Sequence, residues 1–138
     1  MPTEELRAIE LLGLVPYGRV ATSLGALPFL AIARHIVSEG SVILRMHVGR
    51  GHHEACKGSV VAYAADNMCS GETDVWSVQF TGTAEAITPT PDELRHFTGA
   101  PAEMNGEPYE PVYLRIRPRF STVDRMEYTA PQTADAAQ

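Results

Sequence analysis

Between Arg19 and Met126 the chain is a succession of short apolar runs, each cut after a few residues by glycine, proline or a polar turn. Regular helices do not separate these runs, and a parallel pair of strands needs a long, usually helical crossover. The pattern therefore predicts antiparallel strands joined by hairpin-length links. Closing six or seven such strands on themselves removes the exposed edges they would otherwise present. The expected fold is mainly β, a closed antiparallel barrel with two or three short peripheral helices.

The runs can be placed individually. Thr3, Glu4 and Glu5 suit the start of a helix, where the macrodipole favours anions. Leu6, Ile9, Leu11 and Leu12 form its apolar stripe, and Gly13 and Pro16 end it. Strands are expected over Arg19–Thr22, Phe29–Val37, Val42–Val48, Ser59–Ala65, Val75–Ile87, Val112–Arg117 and Phe120–Met126. Ser23-Leu24-Gly25 and Ser38-Glu39-Gly40 read as turns, the second closing a hairpin. On the returning strand Val42, Leu44 and Met46 share one face, and Ile43, Arg45 and His47 the other. One helical turn is expected before Cys56, and a short helix from Thr90 or Pro91 to Phe97. Asn105 to Pro111 reads as loop, and Val112–Arg117 as half-exposed. Gly82, inside the longest run, marks a bulge or the close approach of another backbone.

Composition narrows the function. A chain of 138 residues, 44% hydrophobic, can build one packed domain over 1–128 without a disulfide or metal staple. Residues 129–138 are Ala-rich and polar and are expected to be a disordered tail. A net charge of −6 argues against nucleic acid as the main partner. No apolar run reaches the roughly 18 residues of a spanning helix, and the acidic N-terminus does not read as a secretory signal. Cys56 and Cys69 form no CxxC pattern and read as free thiols, so the expectation is a cytoplasmic protein without membrane contact. The cations are ten arginines and Lys57.

Those arginines are not evenly spread. Arg45, His47, Arg50, His52 and His53 gather at one strand end and its loop, with Gly49 and Gly51 between them. Glycine lets backbone N–H groups approach a phosphate, and arginine forks onto its oxygens, so the loop is a candidate anion site. Metal ligation is the rival use of the histidines, but no HxxxH or HExxH spacing occurs. No G-x-S-x-G elbow, Walker A loop or G-x-G-x-x-G is present. Asp66, Glu72 and Asp74 sit in a polar loop where carboxylates are solvated. No residue declares itself catalytic. The chemistry is then either binding alone or redox work carried by a cofactor. Trp76 could line a pocket for a flat ring or fill a core.

The order of segments resembles the pyridoxamine 5'-phosphate oxidase-like family, the FMN-binding split β-barrels. The resemblance rests on Gly18-Arg19-Val20-Ala21-Thr22, the Pro28 strand, Val42-Ile43-Leu44-Arg45-Met46, Gly49-Arg50-Gly51-His52, Gly58 to Tyr63 and Trp76 to Ala84, and covers roughly residues 5–125. It implies a homodimer with FMN at the interface and a small-molecule substrate. It further implies that Ile32 and Arg34 lie near the flavin ring, with Trp76 and Ser77 approaching it. Arg45, Met46, Arg50 and His52 would hold the phosphate, and Tyr113 to Arg117 would lie near the open side.

Two departures qualify that expectation. Members often read Gly-Ser/Thr-Lys-Leu in the phosphate loop, whereas Gly51 stands here at the lysine position and Arg50 at the hydroxyl position. Arg50, Arg45 or His52 could supply the charge; F420, haem or an unfilled site are the alternatives. The chain also ends in Asp135-Ala-Ala-Gln, without the arginine-bearing segment that grips pyridoxal phosphate. The reading is an FMN-dependent oxidoreductase acting on a small organic molecule other than vitamin B6, or a non-catalytic carrier of a flavin, F420 or haem.

Overall fold

The structure, a computed structural model, describes residues 3–129. Helix α1 covers Thr3–Leu12 and is followed by β1 Tyr17–Leu24, β2 Leu27–Ser38 and β3 Ser41–His47. The short helix α2, His52–Cys56, precedes β4 Val60–Asp66 and β5 Asp74–Ala86. Helix α3, Pro91–His96, leads to the two-residue strands β6 Glu103–Met104 and β7 Glu107–Pro108, then β8 Pro111–Ile116 and β9 Phe120–Glu127. The expected tail, 129–138, lies outside the described residues except for Thr129.

Seven strands form one sheet in the order β4-β1-β2-β3-β8-β5-β9, and β4 also pairs with β5. That pairing closes a ring, so the expected antiparallel barrel is what the chain builds. Strands β8 and β9 follow one another along the same edge of β5. β8 takes Ala84–Ala86 and β9 takes Asp74–Thr81. Between the two pairings, β5 advances from Thr81 to Ala84 while its partner advances from Ile116 to Phe120, one residue further. The extra residue is a bulge, and Gly82 faces it, as the glycine in mid-strand indicated.

Turn chemistry follows the sequence closely, with small shifts. The β2–β3 turn is Glu39-Gly40, both at positive φ, so Ser38 pairs with Ser41 instead of joining the turn. The β1–β2 turn is Gly25-Ala26, and Ser23 and Leu24 remain paired strand residues. Helix α3 has a full capping box: Thr90 accepts from the Glu93 amide, and the Glu93 carboxylate accepts from the Thr90 amide. The stretch read as loop, Asn105 to Pro111, holds the turn and the second strand of the β6–β7 hairpin, with Asn105 and Gly106 both at positive φ.

The core fills the barrel. Val20, Leu44, Met46, Tyr63, Val78, Phe80, Leu114 and Ile116 meet there, and Ala8, Leu11 and Leu12 of α1 close one end. The stripe of α1 is rotated from expectation: Leu6 is exposed and Ala8 takes its place. A second, smaller cluster lies outside the barrel, where Phe97 packs on Ile36 and Ile43 beside Tyr113. This cover buries the outer face of β3 as well as its inner one, so Ser41–Met46 are all buried. Tyr113 and Arg115 of β8 are half-buried for the same reason.

Candidate functional site

The outer face of β2 carries an open groove. Its floor is Leu30, Ala31 and Ile32; one wall is Met46 and His47 with Arg50 and His52 beyond them; the other is Met104 and Asn105 of the β6–β7 hairpin. This first chamber holds about 240 Å³. A second, of about 310 Å³, continues past Ile32, His47 and Met104 to Ala33, Arg34, Arg45, Tyr17, Pro101 and Tyr109. Together they offer the mostly apolar, partly polar concavity expected of a small-molecule site.

Arg50 is exposed at the rim of the first chamber and has no hydrogen bond or ion pair among the described residues. His52 is stacked on Phe29, with ring centroids 4.4 Å apart and planes within 14°. Both follow Gly49, which the fold requires to lack a side chain: a Cβ there would stand 2.7 Å from the His47 ring. Gly51, at φ +72, turns the chain into α2 in open space.

His47 links the two chambers. Its Nδ1 accepts the Glu110 amide at 3.0 Å, which leaves the proton of the neutral ring on Nε2. Its ring stacks on Tyr109, with centroids 5.3 Å apart. Nε2 is buried without a partner, 3.9 Å from the Glu107 carboxylate. Arg45 is buried beside it. Its Nη1 and Nη2 donate to the carbonyls of Thr98 and Gly99 at 3.0 and 3.3 Å, while Nε has no partner. Its guanidinium also lies over Phe97, 5.4 Å from the ring centroid. Arg34 stands opposite Arg45 across β2 and β3 and donates to the carbonyls of Pro16, His35 and His96. Burial, and then the charge of Arg45, push its guanidinium below the ordinary range.

The sequence candidates therefore divide. Ile32, Arg34, Met46, Arg50 and His52 line the groove, as does Arg45. Arg45 does so in the second chamber, with two of its nitrogens bonded to carbonyls, whereas Arg50 lines the first. Trp76 is not on the groove. It alternates inward with Val78 and Phe80 and lies in the barrel core, 5% exposed. Ser77 is half-buried between Asp66 of β4 and Asp124 of β9 and is not among the residues lining either chamber. Tyr113 packs against Phe97, and Arg115 and Arg117 face Glu85. His53 turns away toward Glu54. Among the described residues no three His, Cys, Asp or Glu side chains gather as a metal site, and no helix is long and apolar enough to cross a membrane.

Tyr17, Met104 and Tyr109 escaped sequence reading. Asn105-Gly106, the strongest short-range hairpin signal, is what could have revealed the hairpin that brings Met104 over the groove.

The family model for pyridoxamine 5'-phosphate oxidase matches residues 4–125. An uncharacterised protein of Mycobacterium tuberculosis is 33% identical over 95 residues, 65% of this chain and 62% of that protein, so the match spans less than two thirds of the relative. The FAD binding protein from Mycobacterium smegmatis superposes with a TM-score of 0.68 at 19% identity, covering 93% of this chain and 98% of that one. An FAD-binding protein from Mesorhizobium loti gives 0.65 at 15%, over 89% and 93%. The FAD and heme binding protein from Mycobacterium smegmatis gives 0.63 at 16%, over 97% and 76%. At these identities the structural likeness is one of fold.

Proposed function

Because the chain belongs to the pyridoxamine 5'-phosphate oxidase family, we propose that it is a flavin-dependent oxidoreductase for a small organic molecule, with FMN in the groove on β2. One observation carries the reading. Arg50 and His52 stand together at the rim of the first chamber, and neither has an ion-pair partner among the described residues. An exposed guanidinium beside an imidazole suits a terminal phosphate and makes up for the lysine that Gly51 replaces. The groove floor of Leu30, Ala31 and Ile32 suits the flat apolar body of a flavin ring. A bound flavin would supply the hydride or electron transfer. The protein's part would be to grip the phosphate through Arg50 and His52, present His47 to the ring, and exclude water.

The same face supports a homodimer. Leu30 and Ile32 on the outer face of β2 are 65% and 52% exposed, and Leu24 and Leu27, paired at the nearby β1–β2 turn, are exposed as well. A row of large apolar side chains of this kind marks an interaction surface. A second copy laid against it would cover the open side of the groove.

The test is the visible spectrum and flavin fluorescence of purified protein with FMN, FAD or F420 added. Flavin absorption near about 450 nm that stays with the protein, and micromolar or tighter FMN binding, are expected. Colourless protein that ignores all three would overturn the reading. An intense Soret band would replace it with a haem carrier, a use to which the heme-binding neighbour lends support.

A further inference from the structure

We propose that the second chamber is a separate binding site for a small, flat organic carboxylate, held between Arg34, Arg45 and His47. As a substrate site it rests on the flavin reading above; as a binding site it stands alone. Arg34 and Arg45 occupy directly opposed positions on β2 and β3, where like charges repel. Among the described residues neither forms an ion pair, and no carboxylate is among those lining the chamber. Backbone carbonyls satisfy several of their N–H groups but neutralise no charge.

Two donors remain. Arg45 Nε and His47 Nε2 are buried and unpartnered, and both residues line this chamber. The two side chains are about 4% exposed. Buried N–H groups are nearly always bonded, so a pair left open on one apolar chamber points to a ligand with two acceptor oxygens. The remaining walls, Ile32, Ala33, Pro101 and Met104 with the rings of Tyr17 and Tyr109, suit a planar apolar body. About 310 Å³ accommodates a single substituted ring. Glu107, exposed on the hairpin, stands 3.9 Å from His47 Nε2. It opposes an anion there, so its neutralisation should strengthen binding.

Benzoate is the probe and benzamide its neutral isostere, titrated calorimetrically into the protein with and without FMN. Benzoate should bind in both states, about tenfold or more tightly than benzamide. Arg34→Gln should weaken benzoate binding by about tenfold, Arg34→Lys should restore part of it, and Glu107→Gln should tighten it. Arg34 is only partly buried, so these variants avoid the folding risk of replacing Arg45. Equal affinity for benzoate and benzamide, no benzoate binding, or competition between benzoate and FMN would each overturn the proposal. FMN binding is read separately by flavin fluorescence. Benzoate binding in a protein that ignores FMN would sink the flavin reading and leave this one intact.

Discussion

The carbonyl oxygen of Arg117 lies 2.4 Å from the point where a Cβ on Gly82 would stand. The contact sits at the bulge where β8 passes into β9 along one edge of β5, and the Arg119 amide bonds the Thr81 carbonyl beside it. Barrel closure thus depends on a missing side chain. Because the obstacle is backbone, Gly82→Ala should cost about 1–3 kcal/mol, the range for forced overpacking. Urea unfolding measures it; an unchanged midpoint would show that the β8–β9 corner moves freely.

His35 and Tyr63 form a buried pair inside the fold. His35 Nε2 faces the Leu12 carbonyl at 3.0 Å, so its Nδ1 accepts the Tyr63 hydroxyl. Burial holds the His35 pKa below its ordinary value. The unfolded chain therefore binds the proton more readily than the folded one. This contribution to stability is complete above about pH 6.5 and declines as pH falls below it, until the folded-state pKa is passed. Unfolding free energy measured across this window should fall toward acid, and His35→Gln should flatten the slope. An equal slope in both proteins would clear His35 of the effect.

Arg50→Ala should weaken FMN binding by about 1.5–3 kcal/mol, the worth of a charge-assisted hydrogen bond. The loss should shrink as salt rises, since the side chain is exposed. Fluorescence titration reads both. No change would mean that another group replaces the phosphate-loop lysine.

Leu30→Glu places a charge in the exposed apolar row of β2. If two copies meet on this face, sedimentation should show the native protein at twice the chain mass and the variant at the chain mass. A native protein already at the chain mass would remove the dimer.

The two thiols should differ sharply. Burial pushes Cys56 up to about 11, whereas Cys69 is exposed in the loop after β4. The thiolate is the reactive form, so a thiol reagent at pH 8 should label Cys69 rapidly and Cys56 only after unfolding. Fast labelling of both would mean that the barrel end near α2 opens readily.

Much of the site's local geometry was legible beforehand. Gly49, Arg50, Gly51 and His52 read as a loop with anion-binding chemistry, and two of them, Arg50 and His52, line the groove. The division of β3 into a Val42-Leu44-Met46 face and an Ile43-Arg45-His47 face also holds. What covers the second face was not legible. Arg45 meets Thr98 and Gly99, more than fifty residues away, and no local pattern couples those positions. Trp76 was equally ambiguous, because period-two alternation pairs it with Val78 and Phe80 without saying which side of the strand is the interior.

The sequence by itself determined the seven strands of the main sheet, the approximate places of their turns and the closed antiparallel class, because alternation, glycine at positive φ and capping are properties of neighbouring residues. Only the tertiary structure decided which charges work together. Arg45 and Arg50 are close in sequence, yet one is buried against Phe97 and the other stands in solvent. Arg34 and Arg45 are brought face to face by the register of β2 on β3. Burial and register are set by long-range pairing, and it is burial that turns a basic residue from a solvated charge into part of a site.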